Sequence, residues 1–444
     1  MRRWRQRASA LAAIGVAAVV LRLLYGAGGV GFDTSFQLVW GDDLLHGRVP
    51  DFESRLSPTP HPLAYVALAP AALLGDAAYD VVEALAWFSL GLLGYAAFRL
   101  GEALFAPVVG AGFAVVLVTR PVLVDETMQA FVDIPCLALV LLAAAHEARR
   151  PRHWPVVLGL LALAGLLRPE SWLLAGAYWL YAVRGTEGRE RLALTALAAA
   201  GPVVWALTDL VATGDPLFSL HFTQDAAEAR GRPRGLGNAV ELTPTLLGEM
   251  LRDPIVWGGF AGTLLTLHLL YERALLPGAI LVLGLGGFLV LGVADLPLLR
   301  RYMFPAGAVL ALFCVVALAG WTLLDRGDPW RRRWLLAALL PLVLVVVSVP
   351  GTVDDLRAAA RNGEALGRSL DALRAEVGRE PAREALRRCG GARVTDAQAA
   401  AVVAYLGDVR LGDIARDPGA ASRGVALAPI SATVGWGVWT RCPA

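Results

Sequence analysis

The sequence predicts an all-α polytopic membrane protein that carries a small α/β domain at its C-terminal end. Three observations predict it. Apolar runs of about 20 residues, the length an α-helix needs to cross a bilayer, recur as far as position 350. Only 18% of the 444 residues are charged and 57% are hydrophobic, with a mean hydropathy of +0.57, where a soluble chain is about one quarter charged. From residue 352 onward the sequence turns polar, Ala-rich and helical in period.

Window length gives about 11 spans, at 8–25, 79–99, 106–122, 129–146, 154–167, 171–184, 192–212, 255–271, 276–294, 303–324 and 334–350. The first follows "MRRWRQR" without a small-residue cleavage site and reads as a retained signal-anchor helix. All 40 basic residues are Arg, which, with the excess of Ala, Leu, Gly and Val, points to a high-GC bacterial genome. Arg clusters fall at "MRRWRQR", "HEARRPRH", "VRGTEGRER" and "DRGDPWRRRW". With the N-terminus inside the cell, all of them are cytoplasmic, as the positive-inside rule requires. The stretches 26–78 and 213–254 and the tail from 351 then lie outside, in a plasma-membrane protein with a long first extracytoplasmic loop. Within that loop "HPLAYVALAPAALLG" (61–75) is short for a span and contains Pro70, so it reads as a helix lying at or dipping into the outer interface. The segments 154–167 and 171–184 are also short, with "LRPES" as the outer turn between them.

The division is therefore 1–350 for the membrane body and 351–444 for the outer domain, a usual domain size. In that domain "ARVTDAQAAAVVAYLGD" predicts a strand and then a helix opened by Thr395 or Asp396, and "GVALAPISATVGWGVWTRC" predicts strands. Cys136 and Cys314 sit in apolar runs as packing residues, whereas Cys389 and Cys442 lie where an oxidising exterior would let them form a disulfide. A net charge of +2 and Arg clusters explained by topology give no sign of nucleic-acid binding. No nucleotide-binding loop and no His spacing suited to a metal stands out.

Charges at a membrane rim are costly, and several converge on the outer side. Asp33 ends span one, and Asp42 and Asp43 follow in the loop. Asp125 and Glu126 lie between spans three and four, and Asp133 opens span four. Arg168 and Glu170 form the "LRPES" turn, and Arg300, Arg301 and Tyr302 precede span ten. Arg binds phosphate through a fixed fork of donors, and a positioned carboxylate can take a proton from a hydroxyl. Plainer roles exist for each. Asp33 could solvate or cap a helix end, Asp42 and Asp43 could be surface or capping residues, and Asp133 could cap the helix that Pro135 starts. Arg168 could end a short helix, and Arg300 and Arg301 could be interfacial anchors.

"GFDTSFQLVWGDDLLHGRVPDFE…PHPLAYVALAPAALLG" resembles the first loop of the GT-C glycosyltransferases, including the protein O-mannosyltransferases and bacterial aminoarabinose transferases. "FVDIPCLALVLLAA" resembles their "D-x-P" helix start, "GLLRPESWLLAG" their "L-x-R-P-E" break, and "LLRRYMFPAGAVLAL" their "R-Y-x-x-P". The matches run in order over about residues 8–325.

The resemblance implies a hexosyl- or pentosyltransferase that moves a sugar from a polyprenyl-phosphate donor to a hydroxyl of a glycan, lipid or protein acceptor in the cell envelope, with inversion. Asp33 would be the catalytic base. Asp125, Glu126 and Asp133 would line the site and hold the acceptor or a divalent cation, with Asp42 and Asp43 behind them. Arg168, Arg301 and Tyr302, with Arg300, would hold the donor phosphate, and His61 stands where some relatives carry Lys before Pro. Two other readings stand beside it: a transporter or flippase of lipid-linked sugars that binds them with the same Arg and Asp residues, and a non-catalytic membrane scaffold whose C-terminal domain binds a partner. The outer domain would sit over the active face, placed to select the acceptor.

Overall fold

A computed structural model describes residues 2–54, 57–394, 397–415, 424–431 and 435–441. In chain order the helices are α1 (Arg2–Tyr25), α2 (Phe32–Leu45), α3 (Pro62–Ala72), α4 (Ala78–Leu104), α5 (Pro107–Val118), α6 (Pro121–Met128), α7 (Asp133–Arg149), α8 (Trp154–Leu167), α9 (Ser171–Ala182), α10 (Gly188–Thr213), α11 (Phe218–Ala229), α12 (Leu236–Leu251), α13 (Asp253–Leu269), α14 (Tyr271–Val293), α15 (Phe304–Ala319), α16 (Pro329–Gly378), α17 (Glu380–Cys389) and α18 (Ala397–Gly407). The strands are β1 (Ala392–Val394), β2 (Ile414–Ala415), β3 (Gly424–Ser431) and β4 (Gly435–Arg441), in the order β2-β1-β3-β4. β1 is parallel to β2 and β3, and β3 is antiparallel to β4.

Every predicted span is helical. Among the described residues six helices are long and apolar enough to cross a bilayer alone, or seven if the bent pair α5 and α6 counts as one. The helices α8 and α9 have 14 and 12 residues, and their rise of about 1.5 Å per residue leaves each short of a hydrocarbon core about 30 Å thick.

The centre of the membrane body is α15, buried on all sides from Ala306 to Ala317. Small residues on α13 let it approach so closely. Gly258 and Gly262 form a G-x-x-x-G face, and a Cβ on Gly262 would stand 1.8 Å from the Phe313 carbonyl oxygen. α15 therefore holds a fixed depth, and with it the turn Arg300–Met303 at its N-terminal end.

Three departures from the sequence reading bear on the site. First, Asp33 does not end span one. α1 stops at Tyr25 because Gly26 takes a left-handed conformation (φ 93°) and returns its N–H to the Arg22 carbonyl. A new helix, α2, begins at Phe32 with Asp33 in its first turn. Second, span three is broken. Pro121 has no N–H and forces Arg120 out of the helical region (ψ 122°), so α5 and α6 meet at 59°. Asp125 and Glu126 thus lie in α6 rather than in a loop. The Arg120 side chain satisfies carbonyls at the break, donating to Val116 at 3.0 Å and Leu251 at 3.0 Å. Third, no break occurs at 350/351: α16 runs on for 50 residues, about 75 Å at 1.5 Å per residue, well beyond a bilayer core. Its C-terminal half buries Ala359, Gly363, Gly367, Leu370, Leu373 and Val377, a stripe at helical spacing.

That stripe joins one hydrophobic core with α2 and α3. Phe36, Trp40, Phe52 and Tyr65 pack with Leu373, Leu386, Val403 and Leu427. Along α2 the rings of Phe32, Phe36 and Trp40 follow one another at helical spacing, with centroids 5.1 and 5.9 Å apart. Gln398 donates to the Val30 carbonyl at 2.9 Å, and the Tyr405 hydroxyl to that of Ala72 at 2.8 Å. The expected strand and helix at 392–407 are present as β1 and α18. Thr395 and Asp396, the expected caps, and Cys442, the expected partner of Cys389, lie outside the described residues.

The α13–α15 contact yields a direct test. Gly262→Leu should abolish monodisperse protein in detergent or lower its melting temperature sharply, since overpacking a tight interface costs about 1–3 kcal/mol or more. Gly159→Ala, where a Cβ meets nothing within 4 Å, should leave both unchanged. Equal behaviour of the two variants would refute the close packing.

Candidate active site

The chain lays residues 28–34 along residues 128–130. Gly29 and Gly31 donate their N–H groups to the carbonyls of Met128 and Gln129, each at 2.8 Å, and the Thr34 hydroxyl donates to the Ala130 carbonyl at 2.7 Å. Only a glycine fits at position 28, where a Cβ would stand 2.3 Å from the Met128 oxygen. Ala130 turns the chain from α6 into α7 in the left-handed region (φ 56°), a conformation costly for a residue with a Cβ. This seam brings the first turn of α2 beside the first turn of α7, and so Asp33 beside Asp133.

Neither carboxylate caps its helix. The N-cap positions are Gly31 and Val132, with no side-chain cap bond at either, so the capping reading of Asp33 and Asp133 is not what the structure shows. Both turn to guanidiniums instead. Arg301 Nη1 lies 3.2 Å from Asp33 Oδ2 and 3.8 Å from Asp133 Oδ2. Arg168, from the turn between α8 and α9, donates to Asp133 at 2.5 Å. Asp133 is only 4% exposed and Arg168 10%, so each depends on the other to remain charged away from water. Arg301 also lies over the Phe131 ring, 5.8 Å from its centroid.

The other predicted residues sort into near and far. Tyr302 and Glu170 line the same small cavity, of about 50 Å³, as Asp133, Arg168 and Arg301. Glu126 is buried and faces Asp133 and Arg301. Asp125 stands further out, accepting from Gln129 at 3.1 Å and facing Arg300, which in turn is 3.8 Å from Glu249. His61 is buried, edge-on to Trp205 at 5.9 Å, in the field of Arg168 and Arg301. Asp42 and Asp43 do not join the cluster. Both are held by Arg48, each at 2.8 Å, and line a separate cavity between α2 and α18.

Two residues escape sequence reasoning. Gln37, one turn after Asp33 on α2, is fully buried and accepts the His61 backbone N–H at 3.1 Å. Arg232, in the run "ARGRPRG" between α11 and α12, is half-buried in the field of Arg301, Tyr302 and Asp33. The signal for Arg232 was its run of Arg in a loop placed outside the cell, against the positive-inside rule.

Among the described residues, Gln37 Nε2, His61 Nδ1, Glu126 Oε2, Arg168 Nε and Arg300 Nε are buried without a hydrogen-bond partner. Buried polar atoms are rarely left so, and a cluster of them around one ion-pair network marks a place completed by a polar ligand. Among the described residues no group of three or more His, Cys, Asp and Glu side chains comes together as a metal would need. Asp33 and Asp133 are instead neutralised by Arg, which does not fit a divalent cation held by Asp133 with Asp125 and Glu126.

A helical membrane body, the helix α2 with an acid in its first turn, and the C-terminal α and β elements make up a fold that solved structures share. ArnT from Cupriavidus metallidurans in the apo state shares it with a TM-score of 0.58 at 14% identity, covering 96% of this chain and 94% of that one. The Archaeoglobus fulgidus oligosaccharyltransferase shares it in the apo form with a TM-score of 0.55 at 12% identity, covering 92% of this chain and 64% of that one. The same oligosaccharyltransferase tethered to an acceptor peptide gives a TM-score of 0.53. No protein-family model and no curated protein matches the sequence.

His61 gives the site a pH signature. Burial, reinforced by the charges of Arg168 and Arg301, holds its imidazole well below the ordinary histidine value of about 6.5, so it is neutral in the folded protein. The unfolded chain protonates this group first. Its contribution to stability is therefore complete above about pH 6.5 and is lost as pH falls below it, by up to about 1.4 kcal/mol per pH unit. The melting temperature of the wild type should drop more steeply between pH 7.5 and 5.5, a window about one unit either side of that value, than that of His61→Gln. Parallel curves would show that His61 is not buried as a neutral group.

Proposed function

We propose that the chain is an integral membrane glycosyltransferase that moves a sugar from a polyprenyl-phosphate donor to a hydroxyl of an envelope glycan, lipid or protein, on the extracytoplasmic side and with inversion. The observation that carries this reading is the contact of Asp33 with Arg301, which joins a carboxylate and a phosphate-binding group 268 positions apart in sequence. Its surroundings support it. The cavity at Asp133 and Arg301 shares Val140, Leu174 and Leu283 with a groove of about 390 Å³. That groove runs between α7, α8, α9 and α14, is lined by residues such as Ala143, Leu161, Ala177 and Ile280, and suits a prenyl chain whose phosphate stays at the charged end.

In the resting site Arg301 is shared between Asp33 and Asp133. A donor phosphate would draw the guanidinium to itself, and Asp33 would give up its partner. The acceptor hydroxyl oxygen then attacks the anomeric carbon, and its proton passes to Asp33 as general base. The bond from the anomeric carbon to the phosphate oxygen breaks, and the phosphate leaves with the electron pair. Arg301 stabilises the charge that develops there, while Arg168 keeps Asp133 neutralised. One displacement and no covalent enzyme intermediate give inversion.

Purified protein in lipid, supplied with labelled polyprenyl-phosphate sugars and envelope acceptors, should form product without a transmembrane gradient. Asp33→Asn should lower turnover by about 10²–10⁴-fold, the usual worth of a general base. Asp42→Asn, held at a separate cavity by Arg48, should stay within about twofold. Full turnover in Asp33→Asn would remove the base assignment, and substrate movement without product would identify a carrier instead.

A further inference from the structure

We propose that Arg232, on the loop between α11 and α12, is a further guanidinium that, together with Arg301, receives a phosphate oxyanion at this site. The inference deepens the transferase reading and rests on it only for the identity of the molecule that bears the phosphate.

Charge accounting leads to it. Arg168 is committed to Asp133, and Arg301 is divided between Asp33 and Asp133. Those two acids and two bases cancel one another, and the neighbouring Glu126 and Glu170 add no positive charge. A phosphate entering it brings negative charge into a poorly hydrated place, which is unfavourable unless a further cation meets it. Arg232 is that cation. Among the described residues its guanidinium has no ion-pair partner, whereas its neighbour Arg234 is 3.0 Å from Asp295 and 3.7 Å from Glu228. Arg232 also shares its surroundings with two like charges, Arg230 and Arg301. Arg230 is exposed, but a half-buried guanidinium held in the field of the buried Arg301 without an acid of its own is an arrangement suited to an anion that bridges the two.

The loop is built to hold this position. Gly231 (φ 60°) and Gly235 (φ 90°) turn the chain on either side of Arg232. The carbonyl of Pro233 accepts the Leu298 N–H at 2.9 Å, and the Arg234–Asp295 pair fastens the same loop to the segment that leads into Arg300, Arg301 and Tyr302. The loop that carries Arg232 is thus held beside residues 295–298, just before the turn of Arg300, Arg301 and Tyr302. The phosphate would be that of the donor lipid or one carried by the acceptor, since both present the same oxyanion chemistry.

The test uses the full chain in nanodiscs, with a short-chain polyprenyl monophosphate and the matching phosphate-free polyprenol as probes, on the wild type and on R232Q, R232K and R230Q. If the donor phosphate is the ligand, R232Q weakens monophosphate binding about tenfold or more and leaves polyprenol binding unchanged. R232K, which keeps the charge but not the planar fork, loses part of the affinity, and R230Q stays within about twofold. If the acceptor carries the phosphate, monophosphate binding is unchanged in R232Q, but KM rises about tenfold for a phosphorylated acceptor and not for its dephosphorylated form. Changes under about twofold in both measurements overturn the proposal. If R232Q does not fold, R232K supplies the same comparison, with a loss of affinity supporting the proposal and wild-type values in both measurements overturning it. Monophosphate binding needs no turnover, so it reports on Arg232 even where the assignment of Asp33 fails.

Discussion

A charged side chain removed from water must find its opposite, and at this membrane rim that requirement fixes the architecture. Asp133 is 4% exposed, and breaking its pair with Arg168 would strand an ion at a cost of about 3–5 kcal/mol. To bring the partners together, the first turn of α7, the turn between α8 and α9 and the turn before α15 must meet at one depth. α2 is then drawn in by the seam of hydrogen bonds between residues 29–34 and 128–130, which sets Asp33 against Arg301. Much of the remaining structure serves these placements. The Gly-lined contact of α13 with α15 fixes the depth of Arg301, and the aromatic run on α2 with the outer core fixes the tilt of Asp33.

The same requirement shapes the proposed chemistry. A site whose acids and bases are matched at rest is stable and closed to a stray anion or proton. It becomes reactive when a ligand offers Arg301 a better partner than Asp33. Substrate binding and release of the base are then one event, which protects the site from acting on a hydroxyl before the donor is in place. The unmatched atoms of Gln37, His61, Glu126 and Arg168 surround this exchange and supply both donors and acceptors for a sugar or phosphate.

Much of this was legible in the sequence because buried charge is expensive and therefore conspicuous. Asp33, Asp133, Arg168 and Arg301 stand out at the ends of apolar runs, and short motifs set them in one order. What was not legible was local geometry. The glycine at 26 carried the signal that ends α1, yet the polar content of 31–53 concealed a second helix there. Pro121 announced the break in span three, but apolar content on both sides hid the bend. The apolar run that ends at 350 read as the end of a helix, and tertiary packing overrode it: the C-terminal half of α16 buries a stripe against α6, α18 and their neighbours, and so the helix persists. Asp42 and Asp43 looked equivalent to Asp33 because sequence distance says nothing of Arg48, which claims both. Arg232 was passed over because one more Arg in an Arg-rich chain carries little weight until its lack of a partner is seen.

The exchange at Arg301 is the centre of the account, and a structure of the protein bound to a sugar-free polyprenyl phosphate tests it most directly. The account predicts that Arg301 will have left Asp33 and will donate to a phosphate oxygen at the ordinary charged hydrogen-bond length of about 2.7–2.9 Å, while Arg168 remains on Asp133. A bound phosphate with Arg301 still paired to Asp33, and no guanidinium nitrogen within about 4 Å of its oxygens, would contradict it.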